Sequence, residues 1–256
     1  MTRRHVLFDC EGSACTGTID AAAGSTGLLI ITGGNELRSG AWNGQALLAS
    51  SVAAAGFPVF RFDRRGVGDS EGQNAGFRFS AGDIAAALAA FRAEIPQLYH
   101  IVAFGNCDGA SALMLSSGKG CDGLILSNPW TVEGDSEAPP AAIRAHYSRR
   151  LRDPKALMRL LAGNVSIAGL IGSLRDALKT APKPSSLAEE VAAGIRAFNG
   201  PVTILLAERD RTAQVFEAGW DKADPRIRRC AEASHSYVEA QDWLLERVVE
   251  IGRAHV

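Results

Sequence analysis

The stretch Gly105–Gly109, GNCDG, places a cysteine between two glycines and has the clearest chemical potential in the chain. It follows the apolar, β-rich run Ile101–Phe104 and precedes an Ala/Leu/Met segment, so we expect a sharp strand-to-helix turn. Such a turn holds a nucleophile clear of the sheet, and its glycines allow strand and helix to approach closely. Free N–H groups at the helix start favour a thiolate. We therefore predict Cys107 as the nucleophile, because the alternative of an inert buried cysteine leaves both glycines unexplained.

The Gly-x-nucleophile-x-Gly pattern occurs a second time, around Ser70 in Gly68–Gly72. This copy follows the strand-like sequence VFRF but continues into GQNAGF, which is typical of a loop. A nucleophile turn needs a strand before it and a helix after it. Cys107 is therefore the better candidate of the two.

A general base for Cys107 is sought among five histidines, and only His235 lies in a predicted loop between the last strand and the last helix. The others are predicted on the first strand, at the wrong end of a strand, in a helical insertion and at the tail (His5, His100, His146 and His255). An imidazole in a loop at the edge of the sheet can accept the proton of a nucleophilic thiol. We predict that His235 is this base.

A carboxylate that orients the base is expected after the preceding strand, where VTILLAERD supplies Glu208 and Asp210. Asp210 stands two residues past the predicted strand end and can reach the Nδ1 atom of His235. Glu208 is more closely tied to the strand terminus. We predict Asp210 as the third member of a Cys-His-Asp triad.

An oxyanion hole needs two backbone N–H groups near the nucleophile. One is expected from Asp108, the residue after Cys107, and the other from the loop TGGN that follows the strand GLLIIT. The paired glycines of this loop let its backbone approach a ligand. Gly34 and Asn35 are the candidate donors, and the sequence leaves open which of them completes the hole.

The elements that must position these groups alternate between strands and helices. Such alternation predicts a mostly parallel sheet covered on both faces, with ligands at the carboxyl ends of the strands. The predicted strands are His5–Cys10, Ala14–Asp20, Gly27–Thr32, Pro58–Phe62, Tyr99–Phe104, Gly123–Ser127, Val202–Ala207 and Ile227–Ala231, the first two forming a hairpin. Helices are predicted at Trp42–Ala55, after a capping Ser80, at Cys107–Ser117, and at the C-terminal stripe Leu244, Val248 and Ile251.

The alternation of strands and helices stops between Ser127 and Pro201, where helical patterns occur without a convincing strand. A connection of this length is usually functional. We predict a core of alternating strands and helices at 1–130 and 200–256 and a helical cap at 131–199. Its first half is basic, which indicates either a solvated helix face or attraction of an acidic substrate (Arg144, Arg149, Arg150, Arg152, Lys155 and Arg159).

Composition limits the function classes. The chain has 256 residues, a formal net charge of −1 and 46% hydrophobic residues, so no basic footprint for nucleic acid is present and a small-molecule substrate is expected. Five scattered cysteines fit a reducing compartment, and we expect a cytoplasmic protein without a signal sequence or membrane span. No metal or cofactor is implied, and the sequence does not specify an oligomeric state.

The segments TGGN, FDRRGVGDSEG and GNCDGA, together with the Asp210/His235 pair, resemble the α/β-hydrolase superfamily, over nearly the whole chain. The resemblance implies an α/β-hydrolase fold, a mostly parallel central sheet flanked by helices, and the triad order nucleophile, acid, base. It also implies that FDRRGVGDS is structural. The cysteine turn is similar to that of dienelactone hydrolases. More narrowly, the combination of DCEG, ITGG, FDRRGVGDSEG, GNCDGAS and SNPW resembles exosortase A system-associated hydrolases of type 1, which implies a setting beside exopolysaccharide and protein-sorting genes.

The expected activity is hydrolysis of an ester or thioester through an acyl-cysteine intermediate. Two alternatives remain at the level of the sequence. One is an acyltransferase in which a sugar or amine acceptor replaces water, and the other is a non-catalytic accessory protein of the same system.

Overall fold

A computed structural model describes residues 2–133 and 186–253 of the chain. Eight strands are present in these ranges: β1 (Thr2–Cys10), β2 (Ser13–Ala21), β3 (Thr26–Ile31), β4 (Val59–Phe62), β5 (His100–Asn106), β6 (Gly123–Ser127), β7 (Val202–Ala207) and β8 (Ile227–Cys230). The α-helices of these ranges are α1 (Gly44–Ala54), α2 (Ala81–Glu94), α3 (Asp108–Leu115), α4 (Ser186–Ala197), α5 (Arg211–Gly219) and α6 (Gln241–Arg253). None of these helices is both long and apolar enough to cross a bilayer.

The strands form one sheet in the order β1-β2-β4-β3-β5-β6-β7-β8. β1 and β2 make an antiparallel hairpin, β2 pairs antiparallel with β4, and all further pairs are parallel. The predicted α/β-hydrolase fold with a mostly parallel sheet is therefore confirmed. The central strands β3 and β6 are buried throughout, as their unbroken apolar sequences require when helices cover both faces.

Two hydrophobic layers lie on opposite faces of the sheet. Side chains alternate between the faces along each strand, so Leu29 and Ile31 of β3 point into one layer while Leu28 and Ile30 point into the other. The first layer contains α2, α3, α4 and α5, and the second contains α1 and α6. The carboxyl ends of β5, β6 and β7 thereby open onto a common edge, where the candidate site lies.

Helix α4 belongs to the packed core. Leu187, Val191 and Ile195 are buried in the first hydrophobic layer, and Gly194 lies so close to the Met114 carbonyl that a side chain there would clash. The end of the predicted insertion 131–199 is thus a helix that packs on α3. Residues 134–185, including the predicted basic stretch, lie outside the described residues, so the cap remains a prediction.

The start of α2 differs from the predicted capping arrangement. Ser80 stands at the N-cap position, but its hydroxyl donates to the carbonyl of Phe77 at 2.8 Å instead of accepting from the helix. The Asp83 carboxylate accepts hydrogen bonds from the backbone and guanidinium of Arg65, at 2.8 and 3.1 Å. Asp83, which stands three residues after Ser80, is therefore bound by Arg65, a residue distant in sequence.

The close packing at the glycines of the turn between β5 and α3 can be tested by substitution. A Cβ atom at Gly109 would lie 2.7 Å from the carbonyl oxygen of Ile31, so Gly109→Ala should lower the free energy of unfolding by about 1–3 kcal/mol. Gly219→Ala is the matched control, because nothing lies within 4 Å of its would-be Cβ. Chemical denaturation of both variants measures the difference, and equal stabilities would contradict the argument.

Candidate active site

Cys107 stands on the turn between β5 and α3 in a left-handed backbone conformation, with φ 56° and ψ −124°. Its N–H donates to the carbonyl of Ser127 at 3.0 Å, which ties the turn to the neighbouring strand. A Cβ at Gly105 would lie 2.6 Å from the Ala110 nitrogen, so only glycine allows this approach of strand and helix. The strained residue is partly exposed while Gly105, Asn106 and Gly109 are buried, as expected for a displayed nucleophile.

His235 and Asp210 meet at the edge of the sheet beside Cys107. The Nδ1 atom of His235 lies 2.9 Å from Oδ2 of Asp210, and the imidazole also makes a side-chain hydrogen bond with Cys107. The structure therefore brings together all three residues of the predicted triad. Glu208, the alternative acid, instead has its backbone N–H bound to Cys230 and its carbonyl bound to Gln214.

Asp210 is held by α5, a helix that the sequence analysis did not predict. Its carboxylate accepts the N–H groups of Thr212 at 3.2 Å and Ala213 at 3.1 Å, so it caps the helix while it binds His235. An aspartate before Thr and Ala is a recognisable N-cap signal, and the buried Ala213 and Phe216 stand three residues apart. These signals could have identified the helix from the sequence.

The pKa of His235 is raised to about 10. The hydrogen bond to Asp210 is the main cause, followed by the hydrogen bond with Cys107, and both outweigh the desolvation that opposes them. The Asp210 side chain is only 7% exposed whereas that of His235 is 38% exposed, so the base remains accessible from solvent. An imidazole with this pKa is positively charged at neutral pH and can stabilise a thiolate next to it.

Two asparagines fix the loop that carries His235. The side-chain amides of Asn106 and Asn128 donate to the His235 carbonyl at 3.3 and 3.2 Å, and Asn128 also donates to Asn106 at 3.1 Å. The Asn128 oxygen accepts the N–H of Ala207 at 2.9 Å. Sequence reasoning missed this positioning role, although both residues stand in quoted motifs, GNCDG and SNPW.

The predicted oxyanion region shows a competing contact. The N–H of Asp108 lies at the start of α3, where a helix offers it no acceptor. The N–H of Gly34 donates to Oδ1 of Asp108 at 2.5 Å, and the Arg64 guanidinium binds the Gly34 carbonyl. Gly33 makes the closest approach, since a Cβ there would lie 3.0 Å from Cys107 Cβ. The second predicted candidate, Asn35, accepts a side-chain hydrogen bond from Asn74.

Two carboxylates border the triad. Burial raises the pKa of Asp108, and the nearby Arg64 opposes that shift from 4.0 Å. Burial also raises the pKa of Glu36, and the positive charge on His235 opposes it. Both acids lie close enough to His235 for its positive charge to lower their pKa values and oppose the effect of burial.

The competing serine has a structural role. Ser70 is buried, its hydroxyl donates to the Asp63 carbonyl at 2.7 Å, and it accepts the Thr16 N–H at 2.9 Å. His5 on β1 is hydrogen-bonded to Thr18 of β2, and His100 lies at the opposite end of β5. His146 and His255 fall outside the described residues.

One group of potential metal ligands occurs in the described ranges, formed by Cys10, Cys15 and Asp83, with ligand atoms within 4.8 Å of one another. Asp83 is already paired with Arg65 through several hydrogen bonds. Desolvation is the main cause that raises the pKa of Cys10 to about 11, and the pKa of Cys15 is also raised by burial. Neutral thiols beside an ion-paired carboxylate match a packed core better than a metal centre.

The order of the sheet, the strained turn and the sequence order of the three site residues together agree with a family comparison. The model of the alpha/beta hydrolase family matches residues 28–247. The chain belongs to the α/β-hydrolase family. A comparison with curated protein sequences finds no match.

Solved structures share the fold of this α/β-hydrolase at low identity. The Pyrococcus furiosus esterase Pf2001 is 15% identical with a TM-score of 0.63, over 97% of this chain and 88% of that one. The α/β-hydrolase GrgF from Penicillium sp. sh18 is 17% identical with a TM-score of 0.65, over 100% and 99%. The thioesterase domain from the curacin biosynthetic pathway is 14% identical with a TM-score of 0.59, over 98% and 100%.

The dependence of His235 on Asp210 gives a test in this α/β-hydrolase. Asp210→Asn keeps an N-cap acceptor for α5, since asparagine caps as well as aspartate, but it removes the charge. We expect the pKa of His235, followed by NMR of the imidazole, to fall from about 10 towards the ordinary 6.5. An unchanged titration would show that Asp210 does not set the charge of the base.

The same variant should change the way in which the free energy of unfolding depends on pH. A raised pKa in the folded state contributes stability that is complete below pH 6.5 and is lost as the pH rises through about 10. The difference in free energy of unfolding between wild type and Asp210→Asn should therefore narrow from pH 6.5 to pH 10. Urea denaturation at a series of pH values measures it, and a widening difference would contradict the expected sign.

The contact between Asp108 and Gly34 gives a second test. Asp108→Ala frees the Gly34 N–H, and one additional oxyanion donor raises kcat by about 10²–10³. The same substitution also removes one hydrogen bond that holds the loop, and this loss is worth a factor of only roughly five. We expect at least about a tenfold rise in the acylation rate with an activated ester. In Asp108→Asn, which keeps an acceptor without the charge, the acylation rate should rise less. A fall in the acylation rate of both variants would show that the Asp108 carboxylate supports the reaction by holding the loop.

Proposed function

We propose that the protein hydrolyses ester or thioester bonds through a Cys-His-Asp triad and a covalent acyl-cysteine intermediate. Cys107 is the nucleophile, His235 the general base and acid, and Asp210 the residue that orients the imidazole. The observation that carries the proposal is the chain of contacts from Asp210 through His235 to the strained Cys107. A lone cysteine in a core would need none of these partners.

In the acylation step, the Cys107 thiolate attacks the carbonyl carbon of the substrate and the carbon–oxygen double bond opens to an oxyanion. The Asp108 N–H donates to that oxyanion. The intermediate collapses and breaks the bond to the leaving group, which takes the proton of the His235 imidazolium and departs as an alcohol or thiol. The enzyme is left with an acyl thioester on Cys107 and a neutral His235.

In the deacylation step, neutral His235 accepts a proton from water, whose oxygen attacks the thioester carbon. The second oxyanion collapses, the carbon–sulfur bond breaks and a carboxylic acid leaves. The imidazolium and the thiolate are restored together. The Asp210 carboxylate stays ionised throughout and stabilises the positive ring in both steps.

The biological setting is proposed from the sequence resemblance to exosortase A system-associated hydrolases. Under that proposal, the acyl substrate belongs to an exopolysaccharide or protein-sorting system. Acyl transfer to a sugar or amine would begin with the same acyl-cysteine, so product analysis with candidate acceptors separates the two reactions. A non-catalytic accessory protein would form no acyl-cysteine.

Replacement of the nucleophile tests the mechanism. Cys107→Ala should lower kcat/KM for a 4-nitrophenyl ester by at least about a thousandfold, because the remaining contacts cannot form the covalent intermediate. Intact-mass analysis after brief exposure should show an acyl adduct on the wild type and none on the variant. Cys121→Ala is the matched control, since burial raises the pKa of that thiol to about 12 and it should retain full activity. An adduct that survives Cys107→Ala would refute the assignment.

A further inference from the structure

A cavity lies beside the triad, between the start of α1 and the start of α6. The cavity has a volume of about 100 Å³. Its lining includes Asn106 and Ser236, the chain neighbours of Cys107 and His235, so one end of the cavity lies within one residue of each of them. Apolar side chains form its walls (Trp42, Leu48, Phe104, Leu244 and Leu245). These walls suit an aliphatic chain.

Gln45 is the buried polar residue of the α1 wall, whose other polar residue, Ser51, is exposed. The residue is 9% exposed, it lines the cavity, and its side-chain Oε1 atom has no hydrogen-bond partner. A Cβ at Gly40 would lie 2.6 Å from Gln45 Cγ, so the glycine makes room for the glutamine stem. A buried unpaired amide costs free energy that a methionine or leucine there would avoid. The amide therefore has a use that the protein fold alone does not supply.

The segment before α1 is strained where it borders the cavity. Trp42 and Asn43 both have left-handed backbones, with φ of 47° and 64°. This conformation is costly for residues with large side chains and concentrates at functional sites. Here it places the Trp42 ring in the cavity wall next to Gln45.

We propose that this cavity is the acyl-chain subsite and that Gln45 selects acyl chains carrying a hydroxyl group. The inference rests on the proposed ester or thioester hydrolysis and adds the class of acyl group. A hydroxyl is a donor to Oε1 and an acceptor for the amide N–H₂, so it pairs with whichever end of the amide faces the cavity. The apolar walls bind the methylene groups on either side of it.

Charged chains suit the cavity less well. The carboxylates of Glu36 and Asp242 line it, and they repel an acyl chain that ends in a carboxylate. An ammonium group would have to lose its hydration among the apolar walls, which costs more than burying a hydroxyl. A neutral hydroxyacyl chain satisfies Gln45 without either penalty.

The test compares N-acetylcysteamine thioesters that share one leaving group and differ in the acyl chain: hexanoyl, 3-hydroxyhexanoyl, 6-hydroxyhexanoyl and 6-aminohexanoyl. Wild-type enzyme should hydrolyse at least one hydroxyacyl thioester with a kcat/KM about five times that for hexanoyl, the effect of one net hydrogen bond. Gln45→Met, of similar length and shape, should remove this preference. Equal rates for all chains, or a preference for the aminoacyl chain, would overturn the proposal.

A measurement of thermal stability distinguishes a loss of hydroxyacyl selectivity from a folding defect. Gln45→Met replaces an unpaired buried amide by an apolar group, so its melting temperature should equal or exceed that of the wild type. Gln97→Met, on an exposed residue far from the site, is the matched control and should keep the hydroxyacyl preference. A preference retained by Gln45→Met would assign the selection to another residue.

A binding measurement keeps this inference distinct from the proposed function. Calorimetry with the non-hydrolysable amides of hexanoic and 6-hydroxyhexanoic acid uses Cys107→Ala and Cys107→Ala/Gln45→Met, and neither protein can turn over. Tighter binding of the hydroxylated amide, lost with Gln45→Met, supports the subsite even if no thioester is hydrolysed. Equal binding of both amides would reject the subsite even if hydrolysis occurs.

Discussion

The Asp210 carboxylate is the group on which the rest of the site depends. It caps α5 through two backbone N–H groups and accepts the Nδ1 contact of His235, so one buried charge serves the fold and the base together. A buried carboxylate needs several partners to offset its desolvation, and the helix N-terminus supplies part of that requirement. The remaining lone pairs hold the imidazole in one orientation. The positive charge that results on His235 lies beside the Cys107 side chain.

A second constraint is the close packing at the turn between β5 and α3. Gly105 and Gly109 allow backbone contacts that no side chain could accompany, and Gly33 brings the loop after β3 against the same turn. This loop is so close that the Asp108 side chain can reach the Gly34 N–H. The geometry that assembles the site also lets one of its own carboxylates compete for a backbone donor.

The polar residues around the triad fall into two classes with different consequences. Asn106 and Asn128 have their amides bound within the core, where they fix the His235 loop and leave nothing for a ligand. Gln45 is similarly buried but has an unpaired oxygen. A satisfied buried amide is a structural support, whereas an unsatisfied one facing a cavity is available to a substrate.

The sequence by itself determined the sheet class, the central strands and the candidate identities of Cys107, Asp210 and His235. Strand alternation, a glycine-flanked nucleophile and the position of each loop are local properties, which the order of residues records directly. Only the tertiary structure decided that Asp83 pairs with Arg65 and that Asp108 binds Gly34. These outcomes depend on partners brought together by sheet order, and neither distance nor burial is written in the local pattern.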